Sequence, residues 1–133
     1  MKTLGRVMLV DDDLIDRMAS KRLLNKLQLA DELQCFPDAE AALYHMESDT
    51  AGNTDVILLD VHMPRMNGLE LLEAMSASTK VRFSGTIAVM VSAGLTRRLQ
   101  TGFEEMPYPK TFIGKPLTAE ELLATATMIP RAD

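Results

Sequence analysis

DVILLDVHMPRMNG, residues 55–68, holds four aliphatic residues closed at each end by an aspartate, with a proline four positions beyond Asp60. A run that is uniformly apolar, instead of alternating, suits a strand buried on both faces, as in a parallel sheet. Pro64 cannot continue a strand's hydrogen bonding, and Gly68 permits a close backbone approach. The segment after Asp60 therefore reads as a rigid loop that leads from Asn67 and Gly68 into a helix, with Leu71, Leu72 and Met75 inward.

Working outward, RVMLV at 6–10 and TIAVMV at 86–91 repeat the uniformly apolar pattern, and weaker strands are expected at 33–36 and 111–113. Between them lie helical periods. Leu14, Ile15, Met18, Ala19, Leu23, Leu24 and Leu27 recur at spacings of three and four, with Arg17, Lys21, Arg22 and Lys26 on other faces. Pro37 and Asp38 open a second helix through Ala41, Ala42, Leu43 and Met46, before the turn-rich SDTAGNTD at 48–55. Thr118 followed by Glu121 reads as a capping box opening a last helix. Five strands alternating with about five helices imply an α/β fold: a doubly wound, five-stranded parallel sheet with right-handed crossovers and helices on both faces.

At 133 residues the chain fits one domain, residues 1–133, with one principal site at the carboxyl ends of the strands. Its composition, 47% hydrophobic and 25% charged, is that of a globular protein. A single cysteine, Cys35, excludes an internal disulfide and a thiolate metal cluster, and its apolar neighbours suggest a core thiol. A net charge of -5 argues against direct nucleic-acid or anionic-membrane binding. No apolar run approaches a membrane span, and the opening apolar run is cut short by Asp11, Asp12 and Asp13, so a cytoplasmic protein is expected. The acid is uneven: residues 1–60 carry twelve carboxylates against six basic side chains, whereas the remainder carry seven against eight.

The strand ends show what that acid does. The first strand runs into Asp11, Asp12 and Asp13, the third ends at Asp60, the fourth runs into Ser92, and the fifth into Lys115 and Pro116. Clustered carboxylates raise each other's pKa unless a cation holds them together, and Mg²⁺, or Mn²⁺ in its place, is the natural completion. A carboxylate beside such an ion can act as nucleophile towards phosphorus, with Lys115 neutralising the transferring oxygens and Ser92 donating a hydrogen bond.

MLVDDD, DVILLDVHMPRMNG, the VSA containing Ser92, and FIGKP together resemble the receiver domain of two-component response regulators, in order and over nearly the whole chain. The resemblance implies the flavodoxin-like receiver fold with strand order 2-1-3-4-5. It makes Asp60 the phosphoacceptor and gives Mg²⁺ to Asp11, Asp12, Asp60 and the main-chain carbonyl of His62. Ser92 and Lys115 take the conserved hydroxyl and phosphate-binding lysine positions, Phe112 that of the aromatic switch, and Lys115–Pro116 that of a commonly cis dipeptide. It further implies a phosphoacceptor module rather than an enzyme, phosphorylated by a sensor histidine kinase or phosphotransfer protein that docks on the first helix, and signalling to a separate downstream output protein. The output face would include residues 96–105 and the last strand and helix. With the chain ending soon after the last helix, a stand-alone receiver with no output domain is expected; Pro107 and Pro109 should shorten the fourth helix.

Other readings compete. Asp13 fits a helix cap better than a metal ligand, Ser92 could cap a turn, Lys115 could be a solvated charge, and Phe112 could be core packing. Neither His62 nor His45 has a second histidine at zinc spacing. A haloacid-dehalogenase-like phosphatase wants a second acid two residues after its nucleophile, where this chain has His62. A flavodoxin-like electron carrier needs a glycine- and hydroxyl-rich loop where three aspartates stand. A receiver-like interaction scaffold that is never phosphorylated is the closer alternative.

Overall fold

The computed structural model describes residues 2–48 and 53–130, so the centre of the expected turn after the second helix, 49–52, lies outside the described residues. Among the described residues five strands alternate with five helices: β1 (Gly5–Val10), α1 (Leu14–Leu27), β2 (Ala30–Phe36), α2 (Ala39–Met46), β3 (Val56–Asp60), α3 (Gly68–Ala77), β4 (Thr86–Val91), α4 (Arg97–Glu104), β5 (Lys110–Gly114) and α5 (Ala119–Met128). All strand pairs are parallel, in the order β2-β1-β3-β4-β5. The expected α/β architecture is the observed one. Among the described residues no helix is long and apolar enough to cross a membrane.

Side-chain alternation along each strand divides the interior in two. Met8, Val10, Ile57, Leu59, Ile87 and Val89 pack with α2, α3 and α4, whereas Val7, Leu9, Val56, Leu58, Ala88 and Met90 pack with α1 and α5. All five residues of β3 are buried, which is why its sequence shows no polar alternation. β2, at the sheet edge, is only partly buried and mixes polar with apolar residues; Cys35 lies half-buried in it, where burial raises the thiol pKa.

Each helix begins with a side chain that accepts from its own first turn: Asp13, Asp38, Asn67, Thr96 and Thr118. The full capping box lies at α3, where Asn67 accepts from the Glu70 N–H at 2.8 Å and Glu70 accepts from the Asn67 N–H at 3.0 Å. At α5 only half of the expected box forms. Thr118 accepts from the Glu121 N–H, but the Glu121 carboxylate turns back to accept from the Gly114 N–H at the end of β5. A strand end with an unpaired N–H competes for the same acid.

The reading of α1 also needs correction. Leu24 is buried, but Leu14, Ile15 and Met18 are exposed at 57%, 72% and 49%. The amphipathic pattern holds, but only its later residues, Leu23, Leu24 and Leu27, pack with the core, whereas the apolar residues at the start of the helix face solvent. α4 ends at Glu104, short of Pro107, as expected.

At the opposite edge, Asp55 ties three strands together. Its Oδ2 accepts from the Arg6 N–H at 2.8 Å, its N–H donates to the Arg6 carbonyl at 2.8 Å, and its carbonyl accepts from the Thr86 N–H at 2.9 Å. Gly5 sits directly against it with φ of 77°, where a Cβ would collide with the Asp55 carboxylate.

Candidate functional site

Strand alternation decides which side chains meet. Asp11 follows Val7 and Leu9 in phase, Asp60 follows Val56 and Leu58, Ser92 follows Ala88 and Met90, and Lys115 follows Ile113. All four therefore lie in phase with the α1/α5 side of the sheet, one step beyond its last apolar layer. The register sets Asp11 level with Asp60, because Val10 pairs with Leu59, and carries Ser92 and Lys115 two residues further out, because Asp60 pairs with Met90 and Val91 with Gly114.

The result is a cleft of about 420 Å³ lined by Asp12, Asp13, Asp16, Asp60, His62, Ser92 and Lys115, and closed towards α1 and α5 by Ala19, Ser20, Leu23, Pro116 and Leu117. Asp11, Asp12 and Asp60 each offer a carboxylate oxygen within 4.8 Å of the others. Asp11 is fully buried and Asp60 nearly so, whereas Asp12 is exposed. The Lys115 ammonium lies 2.9 Å from Asp11 Oδ2, 3.1 Å from Asp16 Oδ2 and 3.6 Å from Asp60 Oδ1. The Asp11 carbonyl accepts from the Arg17 guanidinium at 2.8 Å, which fixes the turn from β1 into α1. The Lys115–Pro116 peptide is cis, as the resemblance implied.

This packing of charge leaves a clear imprint. Burial raises the Asp60 carboxyl from an ordinary 3.8 to about 6, helped by the neighbouring Asp11 and Asp12 carboxylates and opposed by Lys115 and by the Val61 N–H. For Lys115, burial acts downward, but hydrogen bonds to Asp11 and Asp16 outweigh it and hold the ammonium above the usual lysine range. One ammonium does not balance the acids around it. The donor set at Asp11, Asp12 and Asp60 consists of hard carboxylate oxygens, which fits a small divalent cation such as Mg²⁺.

The loop after β3 holds Asp60 in place. The Gly68 N–H donates to the Val61 carbonyl at 2.9 Å, and a Cβ at Gly68 would collide with the Asp60 carbonyl oxygen, so only glycine allows α3 to start this close. Arg65, at φ of 69°, bonds Glu40 Oε2 at 2.8 Å and Asp38 at 3.4 Å, fastening the loop to the start of α2.

His62 and Ser92 are exposed on the cleft rim. Phe112 is out of phase with the cleft: it is half-buried on the α4 side of the sheet, edge-on to Phe103 at 6.2 Å. Asp13 caps α1, accepting from the Asp16 N–H at 2.9 Å. Asp16 itself, in contact with Lys115, escapes sequence reasoning because an acid in a first helical turn is ordinarily explained by the helix dipole.

A doubly wound parallel sheet of order 2-1-3-4-5 defines the flavodoxin-like class of α/β domains, and here its carboxyl edge carries an acidic cleft. Within that class, residues 7–127 match the response regulator receiver domain, and the chain belongs to this family, the regulatory receivers of two-component systems. It is 31% identical over 120 residues to the sensory/regulatory protein RpfC of Xanthomonas campestris pv. campestris, a match that spans 90% of this chain and 16% of RpfC. The chain thus corresponds to well under a fifth of that relative. In structure it resembles chemotaxis protein CheY4 of Vibrio cholerae, with TM-score 0.75 and 23% identity over 95% of this chain and 98% of the other. It also resembles the receiver domain of the Arabidopsis thaliana histidine kinase CKI1 in complex with Mg²⁺, with TM-score 0.72 and 19% identity over 95% and 93% of the two chains. Receiver domains bind Mg²⁺ at the acidic pocket and interact with histidine kinases or phosphotransfer proteins.

Proposed function

We propose that this chain accepts a phosphoryl group on Asp60 from a phosphohistidine of a sensor histidine kinase or phosphotransfer protein, and that the modification changes its affinity for a separate output protein. The observation that carries this reading is the meeting of Asp11, Asp12, Asp60 and Lys115 in one cleft. In the transfer, an Asp60 carboxylate oxygen bonds to phosphorus while the phosphorus–nitrogen bond breaks, and its electron pair returns to the imidazole, which is left to take a proton from solvent. Water later attacks the aspartyl phosphate and releases inorganic phosphate.

Asp11, Asp12, Asp60 and the His62 carbonyl would hold Mg²⁺ or Mn²⁺. Bound there, the ion neutralises charge on the acceptor and on the phosphoryl oxygens. Lys115 pairs with a phosphoryl oxygen and Ser92 donates a hydrogen bond to another. Movement of the Ser92 loop opens space into which Phe112 turns, so that β5 and the α4 surface report the state of Asp60. The exposed Leu14, Ile15 and Met18 on α1, beside the cleft, offer an apolar surface to the phosphodonor. A cytoplasmic location is part of the same reading.

Intact-mass measurement after incubation with Mg²⁺ and acetyl phosphate tests it. The wild type should gain one phosphoryl group and Asp60→Asn none. No gain from either acetyl phosphate or a phosphohistidine donor would leave the unphosphorylated scaffold as the better reading.

A further inference from the structure

Asp16 is the third residue of α1, the position from which an acid commonly folds back onto the N-cap N–H. Glu70 does so in α3. In α1 that N–H is already taken: Asp13 N–H donates to Asp11 Oδ1 at 3.0 Å. The Asp16 carboxylate is thereby released to turn across the cleft, where it lies 3.1 Å from the Lys115 ammonium, closer than Asp60 at 3.6 Å.

An ammonium has three N–H donors, and Lys115 faces three carboxylates, from β1, α1 and β3. The Asp60 contact, at 3.6 Å, is too long for a hydrogen bond, so Asp11 and Asp16 hold the ammonium back from the acceptor, and closing on a phosphoryl oxygen there means loosening one of these two nearer acids. Asp11 is fully buried, so stripping it of the ammonium would leave an uncompensated charge without water. The Asp16 side chain is 49% exposed and can be hydrated when released. It is the cheapest partner to lose.

Given the reading of Asp60 as phosphoacceptor, on which this step rests, we infer that Asp16 is a positioning residue. It holds Lys115 on the α1 side of the cleft while Asp60 is unmodified and yields it when a phosphoryl oxygen arrives. Asp16 therefore opposes the modified state by competing for its lysine, and α1, the helix that presents an apolar surface beside the cleft, carries the competing group.

Asp16→Asn keeps the shape and removes the charge. Two readouts test it: the affinity of the Mg²⁺-loaded protein for beryllium trifluoride, a phosphoryl mimic, and the hydrogen exchange of the Lys115 ammonium, followed by NMR in the metal-free protein. The variant should bind the fluoride about fivefold more tightly, equivalent to about 1 kcal/mol, and its ammonium should exchange faster. The gain in affinity should vanish when Lys115→Ala is added, because Asp16 acts through that lysine. A gain that persists with Lys115→Ala, or an Asp16→Asn affinity equal to or weaker than wild type, overturns the competition. If wild type binds no fluoride while ammonium exchange responds to Asp16→Asn, the acceptor reading falls and the holding contact stands. If wild type binds fluoride and neither readout responds to Asp16→Asn, the holding role falls alone.

Discussion

Asp60 is a buried acid whose pKa is displaced upward, to about 6, which inverts the usual effect of a carboxylate on folding. Below about pH 4 the group is protonated whether the chain is folded or not, and it contributes nothing. Above about pH 6 the folded state must hold a charge that the unfolded chain solvates freely, so without metal this residue costs stability as pH rises through that window. Asp60→Asn should therefore be more stable than metal-free wild type at pH 8, by on the order of 1–2 kcal/mol after allowance for solvent contact, and nearly equal to it at pH 4. Urea unfolding at the two pH values checks this, and a variant less stable than wild type at pH 8 would contradict it. At this scale Asp11, Asp60, Ser92 and Lys115 were legible in the sequence because each lies just where an apolar run stops. Asp16 was not, since its place in the cleft depends on which acceptor the Asp13 N–H finds.

The start of α3 shows how an element holds a residue it does not contain. Asn67 and Glu70 satisfy one another's backbone N–H groups, and Gly68 lets the helix begin against the Asp60 carbonyl. Asn67→Ala should cost about 1 kcal/mol of stability and leave Mg²⁺ affinity within about twofold, as expected for loss of a cap alone. Gly68→Ala must move backbone next to Asp60, so it should weaken Mg²⁺ binding at least tenfold as well as destabilise the fold. Equal Mg²⁺ affinity in the two variants would contradict this division. The sequence resolved these boundaries well because caps and prolines are local signals. It resolved the exposure of α1 poorly, because periodicity marks an apolar stripe but not which of its residues another element covers. Glu121 was misread for a related reason: spacing identifies a capping box, whereas the competing Gly114 N–H comes from another element.

Across the whole molecule, the unbalanced carboxylates at the carboxyl edge of the sheet make it the place where a divalent cation should add stability. Mg²⁺ at about 100 times its dissociation constant should stabilise the fold by about 2.7 kcal/mol. The concentration required should rise as pH falls through about 6, where Asp60 takes up a proton. Asp12→Ala, at an exposed position, should keep the fold and lose most of this response; thermal unfolding with and without Mg²⁺ measures both. The five-stranded order itself was readable from the resemblance, and the alternation that sorts Asp60 from Phe112 onto opposite sides follows from counting in twos along each strand.

The two edges of one sheet thus use the same side chain in opposite ways. Asp55, at one end of β3, is saturated by the main chain of its neighbours and keeps three strands in register. Asp60, five positions away at the other end, is left underserved by its surroundings. β3 thus carries one acid that serves the backbone and one whose charge its neighbours leave unmet, so a change of charge at Asp60 should leave the strand register set at Asp55 unaltered.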